Sequence, residues 1–125
     1  MRETSYWSWF LLAGIVIFIG GGLHMIATHL SMTGLFNPFG SDSVAWGNVA
    51  HRSGSVFFTA IYIILLAAAL YHGLYGFKTI MFELGLRKST ERTLVVSLWF
   101  IGVALFVTGA FAAIVARQVA TKFLT

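Results

Sequence analysis

Residues 56–83 read VFFTAIYIILLAAALYHGLYGFKTIMFE, an apolar run with a histidine late in its length and a carboxylate at its end. The run from about Val56 to Met81 is long enough to cross a bilayer. A hydrocarbon core of roughly 30 Å takes about 20 apolar residues at 1.5 Å each. On such a helix Gly76, Thr79 and Glu83 each fall within about 40° of His72. One face therefore presents imidazole, bare backbone, hydroxyl and carboxylate in succession. Ala68 and Ala69 keep that face shallow upstream, so a flat, bulky group has room to lie against it. An ionisable residue inside a membrane is rare and usually functional, and for histidine the plain alternative is a helix–helix hydrogen bond.

Two further runs qualify, about Trp7 to Leu30 and about Leu94 to Ala116. The chain is 58% hydrophobic and 10% charged, with a mean hydropathy of +0.87, which excludes an ordinary soluble domain. An all-α membrane protein follows, a single domain over residues 1–125 with three transmembrane helices at about 7–30, 56–81 and 94–116. The first run is too long, and wrongly flanked, for a cleaved signal peptide. Three separate helices bury little of their own, so a partner is expected. The net charge of +4 comes from few residues, with no basic run of the kind that tracks nucleic acid. The absence of cysteine excludes disulfides and thiolate-bound zinc or iron–sulfur clusters in this chain.

Trp7 and Trp9 belong at headgroup depth, where indoles are favoured. Gly20-Gly21-Gly22 precedes His24 and His29. These glycines form either a helix-packing notch or a clearing for a ring bound at His24. Residues 31–55 read as a loop, with turn residues Asn37, Pro38, Gly40, Ser41 and Asp42. Val44 to Ala50 reads as a short interfacial helix anchored by Trp46, with His51 and Arg52 just before the second span. Gly85 and the turn over residues 87–92 end that span, with Ser89 or Thr90 as the cap of the third. The third span has no ionisable residue between Leu94 and Ala116, and its Gly102, Gly109, Ala110, Ala112 and Ala113 look like packing positions. Arg2, Lys78, Arg87, Lys88 and Arg92 on one side outnumber Arg52, Arg117 and Lys122 on the other, which places the N-terminus inside and the C-terminus outside.

Depth limits what the histidines can do. His24 lies about 25 Å along its helix from Trp7, and His72 about 24 Å along its own from Val56. Counted across opposed helices, the two imidazoles differ in depth by about 15–20 Å and cannot share one iron. If both bind haem there are two haems, each with its second ligand on another chain. His29 is about 140° round the helix from His24 and sits at the outer interface, where a propionate, a quinone or water satisfies it. His51 is a loop histidine. Lys78 and Arg52 stand near opposite membrane faces, within reach of haem propionates or of lipid phosphates by snorkelling.

His72-x-x-x-Gly76-Phe77-Lys78-Thr79-Ile80-x-x-Glu83 resembles the second-helix signature of the membrane-anchor subunits of succinate dehydrogenase and fumarate reductase. The three-helix plan and the histidine late in the first helix resemble the D-type anchor in particular. The resemblance implies half of a two-subunit helical bundle, docked to an iron–sulfur subunit and a flavoprotein subunit in a bacterial or archaeal cytoplasmic membrane. It implies that His72 is an axial ligand of haem b, that His24 serves a second haem, and that a quinone site lies near the inner end of the second helix. Gly76, Lys78, Glu83, His29 and Arg52 are then further cofactor-binding candidates. Glu83 replaces the usual aspartate, and Leu84 stands where many D-type members have a tyrosine, so any quinone contact from this chain falls to Lys78 or Glu83. No catalytic site for the dicarboxylate is expected. Two rivals stay open: a haem-free anchor of the same complex, in which both histidines bond neighbouring helices, and a small oligomeric transporter.

Overall fold

The computed structural model describes residues 2–29 and 42–125. Four helices follow in order: α1 (Arg2–His29), α2 (Trp46–Gly54), α3 (Val56–Glu83) and α4 (Lys88–Leu124), with no strand among the described residues. α1, α3 and α4 are long and apolar enough to cross a membrane, the mark of an all-α integral membrane protein. The helices outrun the apolar stretches that announce them. α1 begins at Arg2 rather than Trp7, α3 continues to Glu83, and α4 spans 37 residues, beyond both Leu94 and Ala116. Apolarity marks where hydrocarbon lies, whereas a helix continues wherever its backbone finds partners four residues back. At 1.5 Å per residue α4 is about 55 Å long, well over the thickness of a hydrocarbon core. Leu30 and the turn residues Asn37, Pro38, Gly40 and Ser41 lie outside the described residues.

The α3–α4 turn forms for a local reason. Gly85 has φ +68°, the left-handed conformation that a glycine adopts without strain just past a helix end. The expected caps are not used. Arg87 precedes the first turn of α4, no side chain caps it, and Ser89 and Thr90 lie inside the helix.

α3 packs against both α1 and α4, which make no contact with each other. The spanning helices thus form a layer one helix thick. Leucines of α3 enter glycine notches on both sides. An ideal Cβ on Gly20 of α1 would stand 2.7 Å from Leu65, and on Gly109 and Gly102 of α4 it would stand 2.5 Å from Leu66 and 2.7 Å from Leu74. In hydrocarbon, where apolar contact alone gives no advantage over lipid, such close approach is what holds helices together. The apolar side chains enclosed among the described residues are three alanines, Ala13, Ala50 and Ala120. The layer therefore has no core of its own, and large residues such as Phe18 and Phe100 face outward.

α2 starts at Trp46, and it contains His51 and Arg52 rather than ending before them. Asp42 organises its entry: one carboxylate oxygen accepts the N–H groups of Val44 (3.2 Å) and Ala45 (3.0 Å), and the Asn48 amide donates to the Asp42 carbonyl (2.6 Å). α2 lies on the C-terminal turns of α4, with the Trp46 ring edge-on to Phe123 at 5.9 Å. A chain of hydrogen bonds ties it back to α1. Ser43 donates from its hydroxyl to the Thr28 carbonyl at 2.6 Å, and Arg52 donates from Nη2 to the Ser43 carbonyl at 2.7 Å.

Three outcomes follow for thermal unfolding of the purified protein in detergent. Gly109→Val forces a branched side chain onto Leu66 and lowers stability by about 1–3 kcal/mol, as overpacking does. Gly22→Ala, with nothing within 4 Å of its Cβ position, does not lower it. Arg52→Ala removes a buried charged hydrogen bond and costs about 1.5–3 kcal/mol.

Candidate functional site

His72 lies in the α1–α3 interface, half-buried, its ring stacked on Phe10 with centroids 4.1 Å apart and planes 5° from parallel. Its Nδ1 is 3.0 Å from the Phe10 carbonyl oxygen. A carbonyl only accepts, so in this contact Nδ1 carries the proton. In the neutral ring Nε2 is then left with its lone pair. Gly14, one turn beyond Phe10 on α1, is bare where the imidazole rests: a Cβ there would stand 3.1 Å from Cε1 and 3.3 Å from Nδ1.

The face read from the sequence is only partly assembled. Gly76 does border His72, but its notch is filled: a Cβ on Gly76 would stand 3.3 Å from Cε2 of Phe10. The ring of Phe10 thus occupies the clearance that the sequence left for a flat group at this point. Thr79 donates its hydroxyl to the Tyr75 carbonyl of its own helix at 2.9 Å. Glu83 is exposed at the last turn of α3. Lys78 turns onto aromatic rings, its Nζ 5.1 Å from the centroid of Tyr75 and 5.2 Å from that of Phe82, a cation–π arrangement. Tyr75 in turn stacks on Tyr71 at 5.8 Å, and the Tyr71 hydroxyl donates to the Tyr6 carbonyl of α1 at 2.9 Å.

His24 is exposed at the other depth, its ring edge-on to Tyr62 of α3 at 5.8 Å and 89°. Tyr62 lies about 15 Å along α3 from His72, so the register of the two helices keeps the imidazoles far apart in depth. Of the glycines before His24, Gly20 receives Leu65 and is a packing notch, Gly21 meets only Ile17 at 4.0 Å, and Gly22 is open. His29 and His51 are exposed. Arg52, a candidate for a propionate, is 7% exposed and directed to the Ser43 carbonyl.

An imidazole that holds a metal through one nitrogen commonly donates its other N–H to a carbonyl, which fixes tautomer and ring orientation. His72 has that arrangement, with Nε2 as the nitrogen that would be open to a metal, so the residue fits a haem ligand. Among the described residues no three histidine, aspartate or glutamate side chains converge as a metal-holding group. Sequence reasoning missed Phe10 and Gly14, which meet His72, Tyr75, which meets Lys78, and Tyr6, whose carbonyl accepts from Tyr71. The Phe10-x-x-x-Gly14 spacing was a usable signal for a ring beside a notch, but nothing in it names the histidine of α3 as the partner. No protein-family model, no curated protein and no solved structure matches this chain.

Proposed function

We propose that this chain is a haem b-binding, D-type membrane anchor of a succinate:quinone or quinol:fumarate oxidoreductase. The observation that carries the proposal is the Phe10 carbonyl on Nδ1 of His72, which in the neutral imidazole leaves the lone pair on Nε2. In this reading His72 holds iron through Nε2, Phe10 fixes the imidazole plane by stacking, and Gly14 gives the ring its seat. A second ligand would come from a second membrane-anchor subunit, for which a layer one helix thick has a whole face free. His24 serves a second haem at the other depth in the same way. Haem b, when bound, supplies one-electron carriage whose potential depends on ligation and burial. Lys78 and Glu83 lie toward the end of α3 where a quinone and the iron–sulfur subunit belong, with the flavoprotein subunit beyond. The orientation proposed, from the lysine and arginine balance, has the N-terminus inside a bacterial or archaeal cytoplasmic membrane.

A second reading has its own support. The imidazole of His72 is already stacked and hydrogen-bonded within this chain, which is all that a haem-free anchor requires of it.

The two part on a reduced-minus-oxidised spectrum, with a pyridine-haemochrome count, of the complex purified through a tag on this chain. The parent contains haem b, and His72→Ala and His24→Ala each lose one haem. Gly14→Val, which crowds Cε1 and Nδ1 without removing the ligand, weakens haem retention about 10-fold, as disturbance of a ligand's support does. An assembled parent without haem, or one whose haem survives His72→Ala, establishes the haem-free anchor instead.

A further inference from the structure

A groove of about 540 Å³ runs between α3 and α4, apart from the His72–Phe10 contact, within the usual size range of small-molecule sites. Ala67, Leu70 and Leu74 of α3 and Leu98, Val103 and Phe106 of α4 line its apolar length. Tyr71, Tyr75 and Lys78 close the end nearest the α3–α4 turn. The lining extends from Ala67 to Lys78 on α3 and from Val95 to Phe106 on α4, about 16 Å on each helix. One leaflet contributes about half of a 30 Å hydrocarbon core, so the groove has the depth of a single leaflet.

We infer that this groove retains the acyl chain of an anionic glycerophospholipid from the leaflet at the α3–α4 turn. Charge complementarity selects the headgroup. The Lys78 ammonium is held at the mouth by the rings of Tyr75 and Phe82. Lys88 and Arg92 continue the Val95–Trp99–Gly102–Phe106 side of α4 at helical spacing, and both are exposed. Glu91 lies beside them, half-buried, which leaves the mouth cationic on balance. A lipid phosphate meets this group at headgroup depth while its chain fills the apolar length behind. Tyr71 is committed to the Tyr6 carbonyl and forms part of the wall. The site is independent of haem and needs only that the helices span a membrane.

The test uses the complex purified in mild detergent through a tag on this chain, with bound lipids extracted and quantified by mass spectrometry. The parent retains about one phospholipid per chain, richer in anionic headgroups than the source membrane. Lys78→Gln lowers that anionic enrichment about 5-fold, the effect of one cation at a membrane surface. Ala67→Phe fills the groove and expels the lipid. Because Ala67→Phe can disturb folding, the parent is also reconstituted in vesicles of equal phosphatidylcholine and phosphatidylglycerol carrying a photoreactive acyl chain. Labelling is expected to concentrate on residues 67–78 and 95–106. Even labelling of all three spanning helices, a headgroup content indifferent to Lys78→Gln, or recovery of an isoprenoid quinone or a partner helix from the groove overturns the inference.

Discussion

In hydrocarbon there is no water to release, so helices that satisfy their own backbones have little reason to associate except close fit. The whole arrangement depends on how α3 meets this constraint. Leu65 and Leu66 are adjacent in sequence and about 100° apart on the helix, and they enter glycine notches on different neighbours. Leu74 repeats the contact toward α4 at Gly102. A helix gripped on two sides keeps its neighbours apart, and α1 and α4 do not meet. The layer is thus a consequence of where the notches are, and the two faces it leaves uncovered follow from the same cause.

The same grip decides the state of His72. Phe10 is one of the residues brought against α3, and its carbonyl is already engaged in a helix. Offering that oxygen to an imidazole costs α1 little, because a carbonyl has two lone pairs. The ring stack and the bare Gly14 fix the imidazole plane, and the Phe10 carbonyl favours the tautomer with its proton on Nδ1. One nitrogen is thereby committed to α1, and in the neutral ring the other keeps its lone pair, as in any histidine that bridges two helices through a single N–H.

The three spans, the separation in depth of His24 and His72, the packing glycines and the short helix at Trp46 were all legible in the sequence. Each depends on length, composition or spacing within one segment. What was not legible depends on the register between segments. Nothing within Val56–Glu83 says that Phe10 will cover Gly76, and nothing near Arg52 says that its guanidinium will turn to Ser43. Helix ends were misplaced for a related reason: hydropathy falls at the membrane surface, while α4 continues as helix to Leu124. Ser89 and Thr90 looked like caps because they follow a glycine turn, yet the turn closes early enough for Lys88 to start the helix.

The two ends of the layer are built differently, and this bears on where exchange with the surroundings can happen. At the end holding α2, Thr28, Ser43 and Arg52 form a continuous hydrogen-bonded tie, and Ser43 is fully enclosed. A cation committed to an internal carbonyl is unavailable to an external anion. At the other end Lys78 has no carboxylate beside it among the described residues; it rests on two aromatic rings, whose attraction for a cation is weaker than that of a charged partner. A lysine so placed gains from an incoming anion without first breaking an ion pair. The Arg52 end thus spends its buried cation on the fold, whereas the Lys78 end presents a cation resting on aromatic rings and an exposed carboxylate at Glu83.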